Sequence, residues 1–263
     1  MKKELDYIRA KKAFISDMDG VIYHGNLLLP GVHEFVNWLQ ENEKDFLFLT
    51  NSSERSPREL ALKLQRLGLD IDPSHFYTSA LATAMFLKQQ CPGGSAYVIG
   101  EPGLVNALYE AGFSMNDYNP DYVVFGETHS LNYEKIQLAV KLVLKGAKLI
   151  GTNSDLTGPI EGGIAPACRA LISPIEMATG KSAYFVGKPN PLMMRHALKS
   201  IGCDRDDAVI IGDRMDTDIV AGIESELDTV LVLSGVTSRE GVEKYPYRPK
   251  FILNGVGDIV PEN

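Results

Sequence analysis

Short apolar runs that stop abruptly at polar residues recur along this chain, with helical stripes between them. Ala13-Phe14-Ile15-Ser16 runs into Asp17-Met18-Asp19-Gly20-Val21, and Phe46-Leu47-Phe48-Leu49 runs into Thr50-Asn51. Tyr184-Phe185-Val186-Gly187 leads to Lys188-Pro189. Ala208-Val209-Ile210-Ile211-Gly212 leads to Asp213, with Asp216 and Asp218 close behind. Runs this short and this apolar predict strands buried on both faces. Val32, Phe35, Val36 and Leu39 fall at i, i+3, i+4 and i+7, the stripe of an amphipathic helix. Ser56-Pro57-Arg58-Glu59 predicts the start of another, with an N-cap, a proline at the first helical position and a capping-box acid. Leu60, Leu64 and Leu67 continue along one face, and Gly68 ends that helix. Strand, helix, strand, helix is the rhythm of a parallel sheet covered on both sides, an α/β fold.

After Tyr77 the rhythm restarts. Tyr97-Val98-Ile99-Gly100, Tyr122-Val123-Val124-Phe125 and Lys148-Leu149-Ile150 each precede a glycine-containing turn and a helical stretch. Residues 80–182 therefore read as an inserted α/β cap domain, and 1–79 plus 183–263 as a discontinuous, Rossmann-like parallel-sheet core. A chain of 263 residues exceeds the usual size of one core, and 44% hydrophobic residues supply apolar surface for two.

The polar residues at the run ends change the picture from fold to chemistry. Asp17 and Asp19, one residue apart on extended backbone, point to the same side. In an open α/β sheet, ligands bind at the carboxyl ends of strands. An acid pair there suits a magnesium ion and a phosphate. Asp-Gly is also an ordinary turn signal, so the segment by itself has a plain strand-exit reading. The four ends together supply an acid pair, a hydroxyl, an ammonium and a second acid cluster. If the strands are parallel neighbours, these groups converge at one edge of one sheet.

A net charge of −8 argues against general nucleic-acid binding, and leaves local cations to meet an anionic substrate. The segment Met1-Lys2-Lys3-Glu4-Leu5-Asp6 lacks the apolar core of a signal peptide, and no run approaches a membrane span, so a cytoplasmic location is expected. Cys91, Cys168 and Cys203 are odd in number and widely spaced, which predicts buried thiols rather than a disulfide framework or a zinc site. Gly180-Lys181-Ser182 imitates the end of a phosphate-binding loop, but Ile175 stands where its first glycine is required.

The order Asp-x-Asp-Gly, then Thr50, then Lys188, then Gly212-Asp213-Arg214-Met215-Asp216-Thr217-Asp218 resembles the four motifs of the haloacid dehalogenase superfamily of phosphatases. The long stretch between Thr50 and Lys188 looks like the large cap of its NagD-like subgroup. So do Phe76-Tyr77-Thr78-Ser79-Ala80, Val186-Gly187-Lys188-Pro189 and Val232-Leu233-Ser234-Gly235-Val236. The resemblance implies a magnesium-dependent phosphatase of small-molecule phosphomonoesters that works through an aspartyl-phosphate. Asp17 is then the nucleophile, and Asp19 is the general acid and later the base. Magnesium (Mg2+) is held by the Asp17 side chain, the Asp19 carbonyl and the Asp213 side chain, with Asp218 steadying a water. Thr50, the Asn51 backbone N–H at a helix-like turn, and Lys188 bind the phosphoryl group. Asp216 is left as a solvated acid.

Two cap loops, Gly126-Glu127-Thr128-His129-Ser130 and Gly151-Thr152-Asn153-Ser154-Asp155, are candidates for contacting the rest of the substrate, or else are polar turns. The expected partner is a small phosphate ester, with no nucleic acid and no membrane. A homodimer is compatible with the sequence, although no feature points to one. The competing class is a catalytically silent ligand-binding or regulatory protein of the same fold, against which stands the presence of every expected catalytic residue. A dehalogenase would need neither Asp19 nor Asp213, and a receiver domain would lack the insertion.

Overall fold

Strands that are apolar on both faces need cover on both, and the first sheet shows this arrangement. In the computed structural model, which describes residues 2–160 and 162–261, the chain divides into two compact units. The first comprises Met1–Thr50, Ala61–Tyr77 and Pro191–Asn263. Its six strands lie in the order Phe251–Leu253, Asp228–Val232, Ala208–Gly212, Ala13–Asp17, Asp45–Thr50, Phe76–Thr78. Successive pairs from Phe251–Leu253 through Asp45–Thr50 are parallel. The chain turns outward in both directions from Ala13–Asp17, so a topological switch point lies between that strand and Ala208–Gly212.

The helix Val32–Glu41 lays its predicted stripe on this sheet, with Val32, Phe35, Val36 and Leu39 all buried. Phe14, Phe35 and Trp38 meet there at ring-centroid distances of 5.5 to 6.4 Å. Each such ring contributes about 1.5–3 kcal/mol by leaving water, enough to anchor the strand that carries Asp17. The predicted capping box is present at the start of Pro57–Arg66: the Ser56 N–H donates to Glu59 Oε2 at 2.7 Å, and the Glu59 N–H to Ser56 Oγ at 3.4 Å. The Ser56 N–H, together with Ser56 Oγ donating to the same Oε2 at 2.8 Å, holds the Glu59 carboxyl below its ordinary value.

At the amino-terminal end of its strand, Asp228 ties three segments together. It accepts from Tyr7 Oη at 2.8 Å, Lys11 Nζ at 2.7 Å and Lys250 Nζ at 2.6 Å. Burial alone would raise its carboxyl, but these donors outweigh it and hold the group below the ordinary carboxylate range.

The second unit comprises Asn51–Leu60 and Thr78–Asn190. It has its own five-stranded parallel sheet in the order Tyr184–Phe185, Lys148–Gly151, Tyr122–Phe125, Ser95–Ile99, Ser114–Met115. Ile99, Val123, Phe125, Leu142, Leu149, Ile172 and Ile175 form its core with the helices Tyr133–Leu144 and Cys168–Thr179. An antiparallel hairpin, Thr157–Ile160 with Gly163–Pro166, stands apart from that sheet.

One expectation is corrected here. Tyr184-Phe185 is a two-residue strand, and it pairs with Ile150 and Gly151 in the second sheet rather than joining the sheet of Asp17 and Asp213. The pairing depends on a glycine, because a Cβ on Gly151 would sit 2.3 Å from the Phe185 ring.

Candidate active site

Register decides which strand ends meet. Asp17 pairs with Leu49, so Thr50 lies one residue beyond it on the neighbouring strand, and Thr50 is half-buried. Ser16 pairs with Ile211 on the other side, which brings Asp213 to the same carboxyl edge. Asp17, Asp213 and Asp218 each offer a carboxylate oxygen, and these oxygens lie within 4.8 Å of one another.

Close backbone packing holds this cluster. Asp213 is 1% exposed, and its Oδ2 accepts from the Val236 N–H at 2.7 Å. A Cβ on Gly235 would fall 2.0 Å from that oxygen, and one on Gly20 would fall 2.5 Å from it. Gly20 also has φ +79°, a left-handed conformation open to glycine. Asp218, fully buried, accepts from the Arg214 N–H at 3.1 Å. It lies against Gly212, where a Cβ would come within 2.1 Å of its own Cβ. Gly20, Gly212 and Gly235 thus shape the site without chemistry of their own. All three stand within the motif segments quoted from the sequence, beside the acids or the strand ends, but their role in spacing appears only in the packing.

Asp19 occupies a different environment from Asp17. Backbone bonds from Val21, Ile22 and Tyr23 N–H to the Met18 carbonyl close the turn that carries it, and Met18 itself is fully buried. Burial raises the Asp19 carboxyl above its ordinary value, while His24 and Lys63 pull it back. His24 Nδ1 is 3.6 Å from Asp19 Oδ1, and Lys63 Nζ lies 3.5 Å from the centroid of the Tyr23 ring. A carboxyl whose proton is retained more readily is suited to donating one.

Asp216 is exposed, as expected of a solvated acid, and its carboxylate also pairs with Arg214, at 3.0 and 2.9 Å. The turn expected after Thr50 differs, since residues 51–55 are irregular and the helix begins at Pro57.

Asn51 and Lys188 belong to the second unit. Lys188 is 2% exposed, so it is not a surface amine. Its N–H donates to Asn51 Oδ1 at 2.8 Å, and Asn51 Nδ2 donates to its carbonyl at 3.0 Å. One amide side chain therefore fixes both backbone groups of the lysine. The three carboxylates of the first unit form an all-oxygen donor set, which suits a hard divalent cation such as magnesium better than a thiolate- or imidazole-seeking metal.

Residues 14–114 match the family model described as haloacid dehalogenase-like hydrolase, and residues 185–259 match the HAD-hydrolase-like model. The dihydroxyacetone phosphatase of Corynebacterium glutamicum (strain R) is 46% identical over 247 residues, which cover 94% of this chain and 90% of the relative. The ribonucleotide monophosphatase NagD of Escherichia coli (strain K12) is 42% identical, with coverage of 94% and 98%. The solved structure of NagD from E. coli K-12 superimposes with a TM-score of 0.90 at 41% identity, covering 95% of this chain and 98% of the other. Among the described residues, no helix is long and apolar enough to cross a membrane.

Proposed function

The chain belongs to the haloacid dehalogenase-like hydrolases and is a phosphatase of small phosphate esters, and from that premise we propose a magnesium-dependent mechanism through an aspartyl-phosphate. In this reading a carboxylate oxygen of Asp17 attacks phosphorus as the bond to the ester oxygen breaks. Asp19 gives its proton to the departing alkoxide. Water then attacks the phosphorus of the acyl phosphate while Asp19 takes up one of its protons. Inorganic phosphate leaves, and the Asp17 carboxylate is restored. Asp17, Asp213 and the Asp19 carbonyl would hold magnesium, with Asp218 behind them, and the bound ion supplies positive charge to the transferred group. Thr50, the Asn51 N–H and Lys188 would bind the phosphoryl oxygens.

The observation that carries this reading is the convergence of Asp17, Asp213 and Asp218, beside an Asp19 whose acid form is favoured by burial. The two roles of the acid pair require opposite protonation states, and different surroundings support such a split. We read residues 80–182 as an inserted, substrate-selecting cap. The relatives' names, one a dihydroxyacetone phosphatase and one a ribonucleotide monophosphatase, span a three-carbon keto-sugar and nucleoside leaving groups.

The test is phosphate release from p-nitrophenyl phosphate, dihydroxyacetone phosphate, sugar phosphates and nucleoside monophosphates, with magnesium and with chelator. Wild type should release phosphate only with metal, and Asp17→Asn should lose roughly a thousandfold or more in kcat. Turnover by Asp17→Asn near the wild-type rate would eliminate the covalent route.

A further inference from the structure

The two cap loops with a choice of roles turn inward. Glu127 Oε2 accepts from the Ser53 N–H at 3.1 Å and from Ser53 Oγ, while its Oε1 accepts from Asn153 Nδ2. The same Asn153 amide donates to the Asn51 carbonyl at 2.8 Å, and its Oδ1 accepts from the Asp155 N–H at 3.1 Å. Ser79 Oγ donates to the Asn51 carbonyl as well. Ser53, Ser79 and Asn153 are fully buried, so these bonds form away from water, where a missing partner is costly.

Two glycines make room for the network. A Cβ on Gly126 would lie 2.5 Å from Ser53 Oγ. One on Gly187 would lie 2.7 Å from Asn51 Oδ1 and 2.9 Å from the Asn153 Cβ.

The network grips the peptide segment 51–53 from both sides, by the Asn51 carbonyl and the Ser53 N–H. Through the Asn51 side chain it continues to both backbone groups of Lys188. We infer that Glu127 and Asn153 are positioning residues for phosphate binding: they fix, as one unit, the Asn51 backbone and the Lys188 backbone. This rests on the proposed reading of the Asn51 N–H and Lys188 as phosphate-binding groups. It assigns the two loops to the part of the substrate that every phosphomonoester shares, rather than to the leaving group.

Inorganic phosphate is the discriminating probe because it has no leaving group. In Glu127→Gln, an NH2 replaces one acceptor oxygen and faces a donor, either Asn153 Nδ2 or the Ser53 N–H. The inhibition constant for phosphate should rise about ten- to a hundredfold. KM for p-nitrophenyl phosphate and for dihydroxyacetone phosphate should rise by the same factor. Asn153→Ala should match it, and the milder Ser53→Ala, which keeps the backbone donor, should show a smaller change in the same direction. Unchanged phosphate inhibition with an altered ratio between the two esters would overturn the inference in favour of leaving-group recognition. Unchanged phosphate inhibition with only a lowered melting temperature would overturn it in favour of a purely structural role. Lys188→Met separates the premise. If that variant also inhibits normally with phosphate, both the reading of Lys188 and the inference fall. If it alone loses phosphate affinity, only the positioning role falls.

Discussion

Replacing Gly235 by alanine asks how much of the activity depends on the placement of Asp213. The added Cβ would sit 2.0 Å from Asp213 Oδ2, 2.5 Å from its Cγ and 2.6 Å from its Cβ. The aspartate would have to retreat by more than about 1 Å to regain an ordinary van der Waals separation. Its freedom to do so is small: it is 1% exposed, Val236 N–H holds Oδ2 at 2.7 Å, and Gly20 closes the other side. A displacement of about 1 Å at a reacting centre can cost about a hundredfold, or about 2.7 kcal/mol of barrier. The accompanying strain should lower folding stability by about 1–3 kcal/mol, leaving the protein folded at room temperature. The assay is steady-state hydrolysis of p-nitrophenyl phosphate across a magnesium titration, with a thermal melt of the same sample. Gly235→Ala should lower kcat about a hundredfold and raise the magnesium concentration needed for half-maximal rate. Gly255→Ala, where a Cβ meets nothing within 4 Å, is the control and should behave as wild type. A Gly235→Ala enzyme with normal kcat and normal magnesium dependence would refute the assignment of Asp213 to the reacting centre.

The remaining predictions concern titration and thiol chemistry. Asp228 is held below the ordinary value of 3.8 because its three donors outweigh burial. Its contribution to stability is therefore complete above that value and is lost as pH falls through the lower folded value. Asp228→Asn should cost roughly 1 kcal/mol near pH 7, given the partial exposure of Lys250, and the gap to wild type in urea melts should close in strong acid. A gap independent of pH would refute the ionic reading. Burial pushes the Cys168 thiol up to about 12, and its Sγ faces the Phe125 carbonyl at 3.3 Å. In the native protein at pH 8, a maleimide should therefore leave Cys168 unlabelled until denaturant is added, as peptide mapping would show; rapid native labelling would contradict this.

How far the sequence could be read follows the range of the interactions that decide each feature. Ala13–Asp17, Asp45–Thr50 and Ala208–Gly212 were legible because short runs rich in Val, Ile and Phe have few other fates. The helix at Pro57 was legible because its capping box is complete within four residues. Tyr184-Phe185 was not, since a two-residue strand takes its sheet from its partner, and Gly151 supplies the space for that partner. The segment after Thr50 looks locally like a strand exit. Its membership of the second unit is set by distant groups: Glu127 and Asn153 at Ser53 and Asn51, and the Gly103 N–H donating to the Glu54 carbonyl at 3.0 Å.

The same distinction bears on the acid pair. Asp-x-Asp places two carboxylates on one side of an extended strand and is silent about which attacks and which protonates. The structure breaks that symmetry by ending the strand at Asp17 and turning the chain at Gly20. Asp17 is left among Asp213 and Asp218, where a cation would favour its ionised form. Asp19 is carried into a half-buried turn whose burial favours the proton, against the pull of His24 and Lys63. The balance is adjustable from the exposed side. Removing the His24 imidazole would leave burial less opposed, so Asp19 would keep its proton to higher pH and the alkaline limb of the kcat/KM profile should move upward. Removing Lys63 should act in the same direction, so that a downward shift in either variant would contradict the division of roles between the two aspartates.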